Sequence, residues 1–391
     1  MKNGKRKTEN GTAKPSTKRS ELKRKKRGIL GRIIVFLLAI LAFVGLLAMA
    51  MCVLSSYVDP TKFVWLSFFG LMFWVILFYN LVIFFLLLMM WSRKMWISIV
   101  ALLIAIPGIY KSFSTGRSQS GGELRVMSYN VLNFSDQYDK EKKRDSVAYE
   151  MIAMVKEYQP DVLCIQEFTP FMARTSRKDC IAQCGELMGM PYHYSHEKAN
   201  FGGNVIFSKY PLSALEGDTP FAQENDYGAV ACVDAGTKGV FYVLNCHLTS
   251  FQLTHEEVGV FSERGNSKEQ MEEYGKSIVS KLITAYKKRS QQVSEMLEHI
   301  PHDGRPILLC GDFNDTPLSY TYHQINRAGF VDGFVKAGHG IGRTYAGKLP
   351  LLRIDYVWAN EQIQPKAFKR IKYKGSDHFP VMLDFKVNDG L

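Results

Sequence analysis

The sequence predicts an α+β fold in which a domain of two β-sheets covered by helices follows an N-terminal bundle of about three transmembrane helices. Long uncharged stretches fill most of residues 33–111, which is typical of segments that cross a bilayer. After residue 123 the pattern changes to short apolar runs of strand length between amphipathic helical stretches. Several of these runs follow one another directly, which favours a two-sheet sandwich over a repeated βαβ unit.

The positive charge of the chain is concentrated at its N-terminus. Residues 1–32 contain thirteen Lys and Arg residues against two Glu residues and are predicted to form a basic cytoplasmic tail. Of the formal net charge of +12, residues 1–32 contribute +11 and residues 33–122 contribute +4, which leaves −3 for residues 123–391. The basic composition therefore gives no support for nucleic-acid binding by the C-terminal domain.

Three uncharged runs predict the membrane region, residues 33–111. They cover residues 33–54, 63–91 and 95–110. Arg93 and Lys94 lie between the second and third runs and indicate a cytoplasmic loop. Three spans put residues 123–391 on the far, periplasmic side of the cytoplasmic membrane; if the third run only lies in the interface, the domain stays inside. Residues 112–122, rich in Ser and Gly, are predicted to be a linker.

The C-terminal domain contains at least eight predicted strands and two predicted helices. One helical face carries Val147, Met151 and Val155, and a longer apolar stripe runs from Ile278 to Ile300. Pro160 and Pro301 follow these two helices and are expected to end them. The strands are predicted over residues 124–129, 161–166, 204–207, 229–233, 240–245, 307–310, 354–358 and 381–385.

Polar side chains stand at the ends of six of these apolar runs. Each run meets a carboxylate, an amide or an imidazole, and together they would form a hard-oxygen metal site flanked by two histidines if the strand ends converge. Taken singly, each has an ordinary structural explanation, because Asp and Asn commonly cap helices or form turns. The combination favours a site, and the residues are Asn130, Glu167, His247, Asp312, Asn314, Asp355, Asp377 and His378.

These runs resemble, in order along the chain, the motifs of the endonuclease/exonuclease/phosphatase superfamily. The match extends over about residues 123–388, and the ordered set is far more specific than any single piece. The resemblance implies the four-layered α/β-sandwich of the deoxyribonuclease-I-like fold. The matching segments are VMSYN (126–130), DVLCIQE (161–167), NCHL (245–248), GDFN (311–314), RIDYVW (353–358) and SDHFP (376–380).

The resemblance also implies a role for each site residue. Glu167 is expected to be the main metal ligand, with Asn130 beside it and Asp377 assisting. Asp312 would orient or deprotonate the attacking water, and Asn314 would hold the scissile phosphate. The two histidines are expected to contact the substrate: His378, oriented by Asp355, on a phosphate oxygen, and His247 on a phosphate oxygen or the leaving group. The expected metal is Mg²⁺, with Mn²⁺ as an alternative.

The sequence therefore predicts a membrane-anchored, metal-dependent phosphoesterase, a hydrolase acting on phosphodiester or phosphomonoester bonds. Its expected partners are the lipid bilayer and a phosphate-ester substrate: a lipid head group, a small phosphodiester or a nucleic acid. No obligate protein partner is indicated. Two alternatives stay open, a nuclease acting on extracytoplasmic DNA or RNA and a catalytically silent binding module on the same fold.

Four residues outside the predicted site carry lesser expectations. Arg289 interrupts an apolar helix stripe and is expected to form a structural salt bridge rather than contact substrate. Arg353 lies next to the Asp355 motif and is expected to be able to meet a phosphate. Cys180 and Cys184 are four residues apart on a predicted helix, where either free thiols or a disulfide would fit.

Overall fold

The structure, a computed structural model, describes residues 28–116, 118–136, 139, 141–195, 203–215, 227–254, 257, 267–347 and 351–388. The basic tail predicted over residues 1–32 lies outside these ranges apart from its last five residues. The described helices of the N-terminal part are α1 (Ile29–Leu54), α2 (Pro60–Phe63), α3 (Trp65–Leu71), α4 (Phe73–Met89) and α5 (Trp96–Ser112).

Helices α1, α4 and α5 form an up–down–up bundle. One end is marked by a cluster in which Met49, Phe73 and Ala105 pack together. Ala42 and Leu87 pack together in a second cluster further along the bundle. The bundle presents many exposed apolar side chains, as expected where lipid replaces water as the neighbour. By length and composition α1 and the segment Arg93–Ser112 are each able to cross a membrane.

The second uncharged run forms a bent pair rather than one straight helix. It divides at Met72 into α3 and α4, whose axes differ by 68°. The pair can therefore form a third membrane span only if that span is broken at Met72. Gly70 of α3 lies so close to the Leu318 carbonyl that a Cβ atom there would collide with it. The ring of Phe68 packs 5.9 Å from that of Tyr286. Contacts with the C-terminal domain thus hold α3 away from the α4 axis, which hydropathy alone does not reveal.

The predicted linker includes a docked strand. Within residues 112–122, the segment β1 (Phe113–Thr115) pairs antiparallel with β11 (His339–Ile341). The chain is therefore attached to the C-terminal domain directly after α5, and among the described residues only 116 and 118–123 lie between β1 and β2 without regular structure.

The C-terminal domain contains two six-stranded mixed sheets among its described residues. The first has the strand order β13-β14-β2-β3-β5-β4 and the second β10-β12-β9-β8-β7-β6. The strands are β2 (Leu124–Asn130), β3 (Val162–Phe168), β4 (Tyr192–Ser195), β5 (Gly203–Ser208), β6 (Leu212–Ala214), β7 (Gly228–Asp234), β8 (Val240–His247), β9 (Ile307–Asp312), β10 (Val331–Asp332), β12 (Asp355–Ala359), β13 (Ile363–Arg370) and β14 (Val381–Val387).

Helices cover the outer faces of both sheets. On the first sheet lie α6 (Arg144–Tyr158) and α7 (Arg177–Met188), and on the second lie α8 (Lys268–His299) and α9 (Tyr320–Arg327); a short α10 (Gly333–Ala337) precedes β11. The inner faces of the two sheets pack against each other in a buried apolar core. These four layers confirm the predicted α+β sandwich. Helix α8 begins at a capping box of Ser267 and Gln270 and ends before Pro301, as predicted.

The C-terminal domain docks tightly on the bundle. The Ser55 hydroxyl donates to the Leu318 carbonyl at 2.8 Å, and the Ser290 hydroxyl donates to Asp59 at 2.7 Å. Arg353, expected to be free for a phosphate, is instead buried: it pairs with Asp332 at 2.7 Å and donates to the Lys111 carbonyl at the end of α5 at 2.7 Å. The expectation for Arg353 was wrong because its guanidinium is used to join the two parts.

The remaining expectations concern Arg289 and the cysteines. Arg289 is fully buried and lies 3.3 Å from Asp315, the structural salt bridge that was expected. Cys180 and Cys184 are free thiols in the core beneath α7. Burial raises the pKa of Cys184, which disfavours the reactive thiolate.

Gly311 allows the close approach of β8 and β9 and gives the first prediction. Its φ is +140°, and a Cβ atom would overlap the Cys246 carbonyl oxygen. Gly311→Ala should therefore lower the free energy of unfolding by about 3 kcal/mol, through strain and collision together. Gly304 also has a positive φ (+80°) but has open space around it, so Gly304→Ala should cost only about 1 kcal/mol.

The measurement is the thermal unfolding midpoint of the full chain in detergent for both variants. Equal midpoints for Gly311→Ala and Gly304→Ala would show that the close contact at Cys246 contributes nothing.

Candidate active site

The predicted site residues meet where the two sheets end side by side. In the parallel pair β2–β3, Asn130 lies opposite Gln166, and in the parallel pair β8–β9, His247 lies opposite Asp312. Strand β12 runs antiparallel to β9 and begins at Asp355, directly opposite Asp312. The strand pairing therefore brings carboxylate, amide and imidazole groups from both sheets to one edge.

Glu167 is held by two asparagine side chains. Its Oε1 accepts from Asn130 Nδ2 at 3.0 Å, and its Oε2 accepts from Asn133 Nδ2 at 2.9 Å. The Thr169 hydroxyl in turn donates to Asn133 Oδ1 at 2.6 Å. Glu167 has a φ of +57° at a register shift in β3, which turns its side chain out of the strand alternation. Left-handed backbone in a non-glycine residue costs about 1–3 kcal/mol and is common at functional sites.

Asn130 links the carboxylates of the two sheets. Besides Glu167, its Nδ2 donates to Asp312 Oδ2 at 3.1 Å, and its Oδ1 accepts from the Leu132 amide at 3.0 Å. Asn130 thus fixes the separation of Glu167 and Asp312, and its expected place as a metal ligand stays a prediction.

Asp312 is buried at the centre of the site. Its Oδ1 accepts from the Asn314 backbone amide at 2.9 Å, and the Asn314 side chain donates to the Leu248 carbonyl at 2.9 Å. Burial raises the pKa of Asp312, an effect that the positive charge on a neighbouring His378 opposes. A buried carboxylate with a raised pKa is a stronger proton acceptor than one in water.

His378 forms a buried pair with Asp355. Its Nδ1 lies 3.0 Å from both Asp355 oxygens, and its Nε2 lies 3.6 Å from Asp312 Oδ2. Burial alone would lower the pKa of His378, but the charges of Asp355 and Asp312 outweigh it and raise the pKa well above its usual value. These carboxylates favour the protonated form of the ring, whose Nε2 is directed toward Asp312. The Ser376 hydroxyl accepts from the His378 amide and donates to the Asn130 carbonyl, which orders this loop.

Three further groups are more accessible. The side chains of Glu167, His247 and Asp377 are 21–22% exposed, whereas those of Asp312, Asp355 and His378 are at most 6% exposed. His247 Nε2 lies 3.6 Å from Glu167 and has no hydrogen-bond partner among the described residues. The site thus has an inner buried trio and an outer trio whose side chains are partly exposed.

A cavity of about 230 Å³ opens onto these groups. Six of the eight predicted residues line it, while Asn130 and Asp355 lie behind and are bonded to those in front. Asp312, Asp355 and His378 each offer one potential ligand atom, and these atoms lie within 4.8 Å of one another. Because both Asp355 oxygens already face the His378 ring, the more exposed carboxylates are better placed to receive a cation.

Two features of the site were missed in the sequence. Asn133 supports Glu167, and its signal was a second asparagine three residues after Asn130. Below the site, Gln166 Nε2 donates to Asn245 Oδ1 at 2.6 Å and so joins the two sheets. Gln166 and Asn245 lie within the recognised motifs. The pattern of a single strand, however, does not show that a buried Gln of one sheet contacts a buried Asn of the other.

Comparison with known proteins agrees with this geometry. The family model described as "Endonuclease/Exonuclease/phosphatase family" matches residues 127–378, which is more than half of the chain. A second model, a domain of unknown function, matches residues 32–112. A search of curated protein sequences gives no match.

Solved structures with a similar fold include three representative cases. An endonuclease/exonuclease/phosphatase from Beutenbergia cavernae is 20% identical, with a TM-score of 0.47 and coverage of 68% of this chain and 72% of that one. A mannosyl-6-phosphatase from Bacteroides thetaiotaomicron is 14% identical, with a TM-score of 0.45 and coverage of 67% and 99%. The human Nocturnin catalytic domain with bound sulfate is 15% identical, with a TM-score of 0.44 and coverage of 69% and 96%.

The match of the family model over residues 127–378 includes every residue of the site described above. The sequence motifs, the two-sheet sandwich and the family model all refer to the same stretch of chain. The protein therefore belongs to the endonuclease/exonuclease/phosphatase family.

Proposed function

We propose that this protein is a membrane-anchored, divalent-metal-dependent phosphoesterase that hydrolyses its substrate by in-line attack of water. Members of its family hydrolyse phosphoester bonds. The observation that carries the proposal is the charge of the cavity. Glu167, Asp312 and Asp377 line it, and no Lys or Arg occurs among the described residues of its wall.

A phosphate ester is an anion and would be repelled by such a cavity on its own. A divalent cation held by the carboxylates removes this repulsion and would polarise the phosphoryl oxygen. Carboxylate oxygens suit Mg²⁺ and also Mn²⁺. Glu167, with Asp377 and Asn130 nearby, is the proposed holder of that cation, because it is one of the two most exposed of these carboxylates and is fixed by two asparagines.

The other residues of the chain supply proton transfer and positioning. The oxygen of a water molecule bonds to phosphorus while one phosphorus–oxygen ester bond breaks. Asp312 accepts the proton of that water, and burial makes it a better acceptor. The cationic His378 donates to a phosphate oxygen, with Asp355 holding its ring. Asn314 holds the phosphate, and His247, when protonated, gives a proton to a phosphate oxygen or to the leaving alkoxide.

Two alternatives compete with this proposal. A nuclease would be expected to line its groove with Lys and Arg, and the described wall has none. A catalytically silent module would be expected to have lost at least one reactive side chain, yet all eight are present and mutually bonded or adjacent. Both alternatives are therefore less well supported.

The proposed location is the cytoplasmic membrane, with the catalytic domain on the periplasmic side. The up–down–up order of α1, α4 and α5 makes the end of α5 emerge opposite the start of α1. The thirteen basic residues of segment 1–32 favour a cytoplasmic N-terminus.

Removal of the proton acceptor should abolish activity. Asp312→Asn keeps the size of the side chain and should lower kcat toward a chromogenic phosphodiester in Mg²⁺ by about 10²–10⁴-fold. The matched control is Asp384→Asn, which alters a carboxylate bonded to Arg125 away from the cavity. Hydrolysis by the Asp312 variant at the control rate would refute the proposed function.

Loss of the Asn133 support should weaken metal use. Asn133→Ala removes the donor to Glu167 Oε2 and should raise the Mg²⁺ concentration for half-maximal activity by about 10–100-fold. Asn388→Ala, which removes a surface contact to the Glu361 carbonyl, serves as the control. An unchanged Mg²⁺ titration for Asn133→Ala would remove Glu167 from the metal site.

Membrane orientation can be read from the C-terminus. A reporter fused after Leu391 that is active only in the periplasm should give a signal, and its cytoplasmic counterpart should not. The reverse result would overturn the orientation without affecting the chemistry.

A further inference from the structure

The wall of the catalytic cavity includes a residue from the membrane bundle. Leu71, the last residue of α3, lines the cavity together with Glu167, His247 and Asp312. The family fold begins only after the bundle, so this contact is made by a part of the chain outside the matched domain. The bend at Met72 is what brings α3 across the face of the domain.

Apolar residues form a large part of the cavity wall. Besides Leu71, they are Leu132, Phe251, Leu253, Leu352 and Ile354. Phe251 also packs in one apolar cluster with Leu71 and Phe68 of α3. The cavity therefore combines carboxylates with an apolar wall to which α3 contributes. A small hydrophilic ester would not contact the apolar wall, whereas an amphiphilic substrate would contact both the carboxylates and the apolar wall.

The catalytic cavity borders a second, very small cavity between the bundle and the domain. Leu71, Thr316 and Leu352 line both cavities. The other wall residues of the second cavity include Phe73 and Trp74 at the start of α4, and also Arg343 and Arg353. Nearby, Phe63 and Trp65 are half exposed, as aromatic residues at a membrane–water interface commonly are.

From these contacts we infer that the substrate is a lipid of the same bilayer. Its head-group phosphate ester enters the cavity at the carboxylates, while its hydrocarbon chains run along α3 and the start of α4. This inference rests on the proposed function and adds the substrate class to it. The reaction is the hydrolysis already given, with water as the only co-reactant.

The test compares the same bond with and without its chains. The full chain is reconstituted in phosphatidylcholine nanodiscs with Mg²⁺. Phosphatidylglycerol in the disc is compared with soluble glycerophosphoglycerol, and phosphatidic acid with glycerol phosphate. For at least one of these two pairs, the wild type should have a kcat/KM about tenfold or more higher for the lipid than for its deacylated counterpart, because the hydrocarbon chains bind the apolar wall.

A substitution in the wall should remove that preference selectively. Leu71→Gln keeps the size of the side chain and should lower kcat/KM for the lipid by about tenfold, with little effect on the deacylated ester. Leu253→Gln tests the same wall from the catalytic domain, in case the change in α3 disturbs folding. Leu187→Gln, an exposed leucine on α7, is the matched control and should leave both rates unchanged.

The possible outcomes separate the two proposals. Asp312-dependent hydrolysis of a chromogenic diester, with no phospholipid cleaved or with an oligonucleotide preferred, would overturn the lipid inference and leave the phosphoesterase proposal standing. Equal losses on lipid and deacylated ester in both wall variants would also overturn it, since the wall would then only support the fold. Failure to hydrolyse any phosphate ester would end both proposals.

Discussion

The site depends on the register of two parallel strand pairs, one in each sheet. Asn130 and Gln166 end one pair, and His247 and Asp312 end the other. Side chains alternate between faces along a strand, so a slip of one residue in either pair would turn its polar group away from the cavity. The hydrogen bond from Gln166 to Asn245 ties the two pairs together between the sheets. It satisfies buried polar groups that would otherwise cost about 1–3 kcal/mol each.

The sequence indicated eight of the strands, because apolar runs are local patterns, but it did not indicate β4, β6, β10 or β13. The structure brings the polar residues at the ends of the predicted strands to one edge. What the sequence could not supply were contacts between distant segments. The use of Arg353 at the end of α5, the support of Glu167 by Asn133 and the bend at Met72 each depend on a partner far away in the chain or on another element. A run without charges looks the same whether it is straight or broken.

The junction between bundle and domain is specific rather than merely apolar. The buried pair of Arg353 and Asp332 reaches the Lys111 carbonyl at the end of α5. Within the domain, the buried Arg289 pairs with Asp315, which lines the cavity. Buried ion pairs add little net stability, but losing one partner is costly, since the other charge is left without compensation. Such contacts fix one orientation of the domain on its helices. The orientation matters here because it decides which surface the cavity faces.

The N-terminal third is consequently not an interchangeable tether. A truncated chain starting near residue 123 would uncover Leu282, Tyr286 and Leu318, which the bundle keeps buried. It would also strip Arg353 of its acceptor at Lys111 and open the cavity where Leu71 stood. Such a fragment is expected to aggregate in water, and its substrate selectivity would be that of an incomplete cavity. Removing the N-terminal helices to make the protein soluble would thus change the surface that contacts its ligand.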